Sequence, residues 1–166
     1  MLDYILHKNS LAITSDIIPL LVINLDTIDA NIPIINQCIG LFNSQLKWDG
    51  MFNITEARRR VAGGDTMYVG IDSEVYSYLW VNSNPNYYFI YNVFSNNIRN
   101  NPNYTGKNLL YSVIKSYLLA KDCKCEIDEW NVHSINLFKK LGFIETNKND
   151  SMNSSVQSFS SILFPL

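Results

Sequence analysis

Residues 105–110 of this chain read Thr-Gly-Lys-Asn-Leu-Leu, so a glycine and a lysine open an apolar-periodic run. The first turn of a helix leaves N–H groups without partners and carries partial positive charge, so such a start can hold an anion. Gly106 lets a phosphate approach the backbone, and Lys107 adds charge; a capped surface helix is the other reading. Further along, Glu126 and Asp128 alternate with Cys125, Ile127 and Glu129 in a strand-like run. Alternation puts both carboxylates on one face, where either could act as a general base or lie solvated. His133 could titrate near neutral pH, or decorate a helix start. Tyr87, Tyr88 and Tyr91 offer ring faces that bind cations, or they pack the sheet. Arg58-Arg59-Arg60 is a solvated helix face or a surface for an acidic partner. Cys38, Cys123 and Cys125 cannot all pair; reduced thiols are expected, with no disulfide and no metal site.

These residues need elements to position them. Asp3 to His7 reads as a short strand. Thr14-Ser15-Asp16 offers a cap for a helix over 17–23, with Pro19 in its first turn. A second helix is expected over 32–42, with Pro33 near its start and Gly40 near its end, followed by a connection over 43–53. Thr55 would cap a third helix, 56–62, ended by Gly63-Gly64. The period then changes to two. Residues 66–71 and 74–81 form a hairpin around Asp72-Ser73, and 87–94 forms a strand dense in aromatic and β-branched residues. The stretch 95–103, with five asparagines and a proline, is too turn-rich for a regular element. Leu109, Leu110, Val113, Ile114, Tyr117 and Leu118 repeat at helical spacing after Gly106. A strand over 123–129, a helix over 134–141 closed by Gly142, and strands over 143–146 and 156–163 complete the order. Helices interleaved with a hairpin and single strands make an α/β (α+β) fold with a mixed sheet.

The run from Glu129 to Phe143 is the most specific stretch: Glu-Trp-Asn-Val-His-Ser-Ile-Asn-Leu-Phe-Lys-Lys-Leu-Gly-Phe. It resembles the second signature of the GNAT superfamily of N-acetyltransferases through Asn131, Ser134, Leu137, Phe138, Gly142 and Phe143. Glu129-Trp130-Asn131 followed by Ser134-Ile135-Asn136 is most similar to the polyamine and thialysine branch. The order of elements over 66–146 also matches that family, with 1–54 as its variable helical part, 55–146 as the motif-bearing core and 147–166 as a loop and last strand of one domain.

The resemblance implies a splayed sheet with acetyl-CoA entering where the strand at 87–94 leaves the strand at 123–129. Backbone groups of Asn92, Val93 and Phe94 would bond the pantetheine arm and polarise the thioester. N–H groups of Gly106, Lys107, Asn108, Leu109 and Leu110, after Thr105, would hold the pyrophosphate. Asn131 would position the arm, with Phe138 beside the cofactor and Glu126 or Asp128 as base for an amine acceptor. Three positions depart from the family's Gln/Arg-x-x-Gly-x-Gly/Ala loop: Thr105, Asn108 and Leu110. Asparagine can keep a turn that glycine usually makes. Phe138 stands where the family often has a tyrosine acid. Loss of a general acid costs about 10²–10⁴-fold, yet a thiol of pKa about 8.5 can leave unaided. Phe138 therefore marks an acid drawn from elsewhere, a weak enzyme, or a core residue. Acetyl transfer to a small amine or a protein amine is the leading expectation; a catalytically degenerate acyl-CoA-binding or interaction module is the rival.

Length and composition bound these readings. The 166 residues suit one domain. Hydrophobics at 47% against charged residues at 17% describe a packed globule rather than a disordered chain. A net charge of −2 supplies no basic field for nucleic acid. No apolar run reaches the roughly 18 residues of a membrane span, and Met1-Leu2-Asp3 does not open a secretory signal. The expectation is a cytoplasmic protein without membrane or nucleic-acid partners; a homodimer is one assembly it permits.

Overall fold

The computed structural model describes residues 1–46, 52–96 and 100–146. The expected last strand over 156–163 lies outside them. One mixed sheet of seven strands runs in the order β2-β3-β4-β5-β6-β1-β7. The strands are β1 (Leu2–Leu6), β2 (Leu21–Ile23), β3 (Asp65–Asp72), β4 (Glu74–Ser83), β5 (Tyr87–Ser95), β6 (Asp122–Ile127) and β7 (Ile144–Glu145). Four helices flank it among the described residues: α1 (Ile32–Leu46), α2 (Ile54–Ala62), α3 (Gly106–Tyr117) and α4 (Val132–Leu141). All neighbouring strands are antiparallel except β5 and β6, which are parallel and joined through α3.

Period-two alternation divides the core between the two faces of the sheet. Tyr4, Leu6, Leu79, Ile90, Val93, Cys123, Cys125 and Ile127 pack with α3 and α4. Met67, Val69, Tyr78, Trp80, Phe89, Tyr91 and Phe94 pack with α1 and α2. Cys123 and Cys125, two apart on β6, share the first of these faces.

The expected helix over 17–23 is absent. Residues 7–20 turn at Lys8-Asn9 and then form a strap without helix from β1 to β2 on the α3 side of the sheet, with Leu11, Ile13, Ile18 and Leu20 against that core. Ile18 precedes Pro19, which disfavours the helical region. A seven-residue helix is also too short to sustain itself. Its backbone finds tertiary partners instead: Ile18 N–H donates to Ser112 Oγ at 2.9 Å, and Ala12 N–H to the Leu141 carbonyl at 2.9 Å. Covered by the strap, α3 is buried all round from Asn108 to Ile114.

Smaller corrections follow local chemistry. The α2 cap is Asn53, not Thr55: its Oδ1 accepts from Glu56 N–H at 2.8 Å. The helix expected over 32–42 runs on to Leu46, and α4 starts at Val132 rather than Ser134. β6 stops at Ile127, so Asp128 falls in the turn that follows, and its carbonyl accepts from Asn131 N–H at 2.9 Å.

Candidate active site

β5 and β6 pair only as Tyr87↔Asp122, Tyr88↔Cys123 and Phe89↔Lys124. Beyond Phe89 the two parallel strands share no further ladder pair among the described residues, although β5 continues to Ser95 and β6 to Ile127. β5 also carries an extra residue at this level. Trp80 pairs with Tyr91 and Tyr78 with Phe94, so two steps along β4 meet three along β5. Asn92 takes a positive φ of 49° within this bulge, a conformation asparagine adopts more readily than most residues. The insertion shifts the strand's phase: Ile90 and Val93 face one core, Tyr91 and Phe94 the other.

Because β5 and β6 are parallel, their C-terminal ends and the helix starts that follow lie at one end of the sheet. Asn92–Phe94, the start of α3, Glu126 and Asn131 therefore lie toward the end of the sheet at which the strands part. At the start of α3, Thr105 is the N-cap: its Oγ1 accepts from Asn108 N–H at 3.0 Å and its carbonyl accepts from Leu109 N–H at 2.9 Å. Gly106 and Lys107 supply the remaining first-turn donors, with Gly106 buried and Lys107 exposed. Leu109 and Leu110 are fully buried core residues. Asn108 uses its side chain: Oδ1 accepts from Ser15 Oγ at 2.6 Å, and Nδ2 donates to the Asn103 carbonyl at 2.7 Å. The loop before α3 is tied to the hairpin turn, since Asn100 and Asn101 N–H donate to Asp72 Oδ2 at 2.8 and 2.7 Å.

Asn131 is the N-cap of α4, its Oδ1 accepting from Ser134 N–H at 3.3 Å, and it is only 1% exposed. Phe138 is completely enclosed, edge-on to Phe143 at 4.9 Å. Glu126 is 4% exposed, and Asp128, just past the strand, is half-buried. β1 adds a carboxylate that sequence reasoning missed: Asp3 stands directly opposite Glu126 in the ladder. Pairing across 123 residues leaves no local signal for it.

The other candidates find partners within the chain. Arg58 pairs with Asp29 at 2.5 Å, and Arg59 and Arg60 with Glu56 at 2.5 and 3.1 Å. The Arg59 guanidinium, with help from Arg60, holds the Glu56 carboxyl down to about 2. Arg60 also lies over the rings of Trp80 and Tyr91 at 5.1 and 5.3 Å, and the Tyr91 hydroxyl donates to Asp65. Lys124 and Lys121 lie over Tyr87 and Tyr88 at 4.4 and 4.3 Å. The tyrosine faces read as cation sites thus already hold the protein's own cations. His7 faces Asp122 at 3.6 Å; His133 is exposed. Burial pushes the Cys123 thiol up to about 12 and raises those of Cys38 and Cys125, so none is a ready nucleophile. No cluster of metal-ligating side chains occurs among the described residues, nor does any helix long and apolar enough to cross a membrane.

No protein-family model matches the sequence, and no curated protein matches it. Solved structures share its fold. A Novosphingobium aromaticivorans protein assigned to the GNAT acetyltransferases superposes with a TM-score of 0.59 at 14% identity, over 88% of this chain and 59% of that one. A Staphylococcus epidermidis protein of unknown function gives 0.55 at 6% identity, over 87% and 57%. An aminoglycoside acetyltransferase from an uncultured soil metagenomic sample, in complex with sisomicin, gives 0.53 at 10% identity, over 74% and 86%. The chain therefore spans less than two thirds of the length of the first two. The mixed sheet and its flanking helices have the GNAT fold.

Proposed function

We propose that the chain is an N-acetyltransferase that moves an acetyl group from acetyl-CoA to a primary amine, as a single domain across residues 1–166 working in the cytoplasm. The observation that supports this most is the parting of β5 and β6 beyond Phe89, beside a bulge at Asn92. A parallel pair that separates exposes backbone edge in the middle of a sheet, which suits an extended thioester arm. In this reading the backbone of Asn92–Phe94 bonds the arm and polarises the thioester carbonyl. Gly106 and Lys107 N–H groups and the Lys107 ammonium hold the pyrophosphate, on the turn formed by Thr105, Asn108, Leu109 and Leu110. Asn131 positions the arm, and Phe138 closes the wall behind it.

The acceptor's nitrogen lone pair attacks the thioester carbonyl carbon. A C–N bond forms, the C–S bond breaks, and the sulfur leaves as thiolate. One N–H proton passes to Glu126 or Asp128, and the thiolate takes up one proton, so free thiol and amide are the products. Positioning of the two reactants supplies the larger share of the acceleration. The acidic set Asp3, Glu126 and Asp128 favours a cationic acceptor, with a small polyamine-like amine ahead of a protein amine.

The enclosed Phe138 favours a second reading, an acyl-CoA-binding module without turnover. Calorimetric titration with acetyl-CoA and free CoA, followed by thiol release with a panel of primary amines, separates the two. Micromolar binding with thiol release is the expected result. Binding without release with any amine selects the module; no binding at millimolar ligand overturns both.

A further inference from the structure

The strap between β1 and β2 does more than bridge the sheet. Two polar residues one helical turn apart on α3, Asn108 and Ser112, are both buried, at 8% and 0% exposure. Both face the strap: Asn108 Oδ1 accepts from Ser15 Oγ at 2.6 Å, and Ser112 Oγ accepts from Ile18 N–H at 2.9 Å. The Asn108 amide is fixed in one sense. Its Nδ2 donates at 2.7 Å to the Asn103 carbonyl, which can only accept, so Oδ1 must face Ser15 and Ser15 must donate. Through Asn108 the strap thus grips the turn from Asn103 to Thr105, and that turn aims the first-turn N–H groups of Gly106 and Lys107.

We infer that Ser15 is a positioning residue for the phosphate end of the acyl-donor site, acting through Asn108 on the turn that presents Gly106 and Lys107. The inference rests on the acetyl-CoA reading above. Removing the Ser15 hydroxyl leaves Asn108 Oδ1 without its donor at a part-buried position and frees the amide to rotate. Rotation releases the Asn103 carbonyl and turns the first-turn donors off the phosphate. The acetyl end of the site, at the β5 bulge, is untouched.

The test compares CoA with pantetheine, which keeps the thiol arm and lacks every phosphate. Calorimetric titration of the native chain, Ser15→Ala and Ser15→Thr with both ligands is read beside the thermal midpoint of each protein. The expected result is CoA binding weakened about five- to tenfold in Ser15→Ala, with pantetheine affinity unchanged and CoA affinity restored in Ser15→Thr. Unchanged CoA binding by Ser15→Ala overturns the inference alone. Equal weakening of both ligands also overturns it, because it marks general loosening of the fold. Failure of the native chain to bind CoA overturns the acetyl-CoA reading, and the inference falls with it.

Discussion

Asn131 carries two duties that a substitution pair can separate. It caps α4 through Ser134 N–H, and in the proposed reaction it positions the donor's arm. Asn131→Ala should cost about 1 kcal/mol of stability, as lost caps do, and should lower thiol release. Asn131→Asp caps equally well. Its urea midpoint should return to the native value while turnover stays low; recovery of both would assign the residue to capping alone. Thr105→Ala should likewise cost about 1 kcal/mol of stability, read as a lowered urea midpoint, with Thr105→Ser close to native. The motif that singled out Asn131 is local: Asn, Ser, Leu-Phe and Gly-Phe fall within thirteen residues. Asn108 was legible only as a departure from the family's glycine. Its use depends on Ser15, 93 residues away, and no spacing rule reaches that far.

At the scale of elements, α2 offers a pH test. Arg59, and then Arg60, hold Glu56 at about 2 against an ordinary 4.5. A depressed carboxylate contributes stability that is whole above the unfolded value and is lost as pH falls through the folded one. Glu56→Gln should therefore have a lower urea midpoint than the native chain at pH 6. The gap should narrow between pH 4.5 and 2, and a gap that is constant with pH would show the pairing to be energetically idle. Gly142 closes α4 at a φ of 113°, and a Cβ there would stand 2.6 Å from the Ser10 carbonyl of the strap. Gly142→Ala should destabilise the protein by more than about 1 kcal/mol, read as a lowered urea midpoint. The helix end was readable from Gly142 itself, whereas the strap against it was not. Ile17 to Ile23 carries apolar residues at spacings that fit a helix, and only the covering of α3 and the proline make the extended form win. The β5 bulge was unreadable for a related reason: a strand's phase shift is defined by its partner strand.

At the scale of the molecule, a mixed sheet flanked by helices was foreseeable from the order of elements, and the parting of β5 and β6 agrees with what the GNAT resemblance implies. The place of β1 was not foreseeable. It lies between β6 and β7, with Leu2 opposite Ile127 and Tyr4 opposite both Cys125 and Glu145. Antiparallel pairing of nearly opposite ends of the described chain leaves no trace in local composition.

That placement governs how the protein must be born. Strands β3, β4 and β5 follow one another and can pair as soon as each leaves the ribosome. β1 is made before the other strands of this sheet and finds both of its neighbours only after residue 145 has been made. Contacts so distant along the chain are slow to form. Until β6 is made β1 has two bare edges, and one stays bare until β7 follows; bare strand edges are sites for mispairing. Translation at about 5–20 residues per second sets the shortest time that this wait can last.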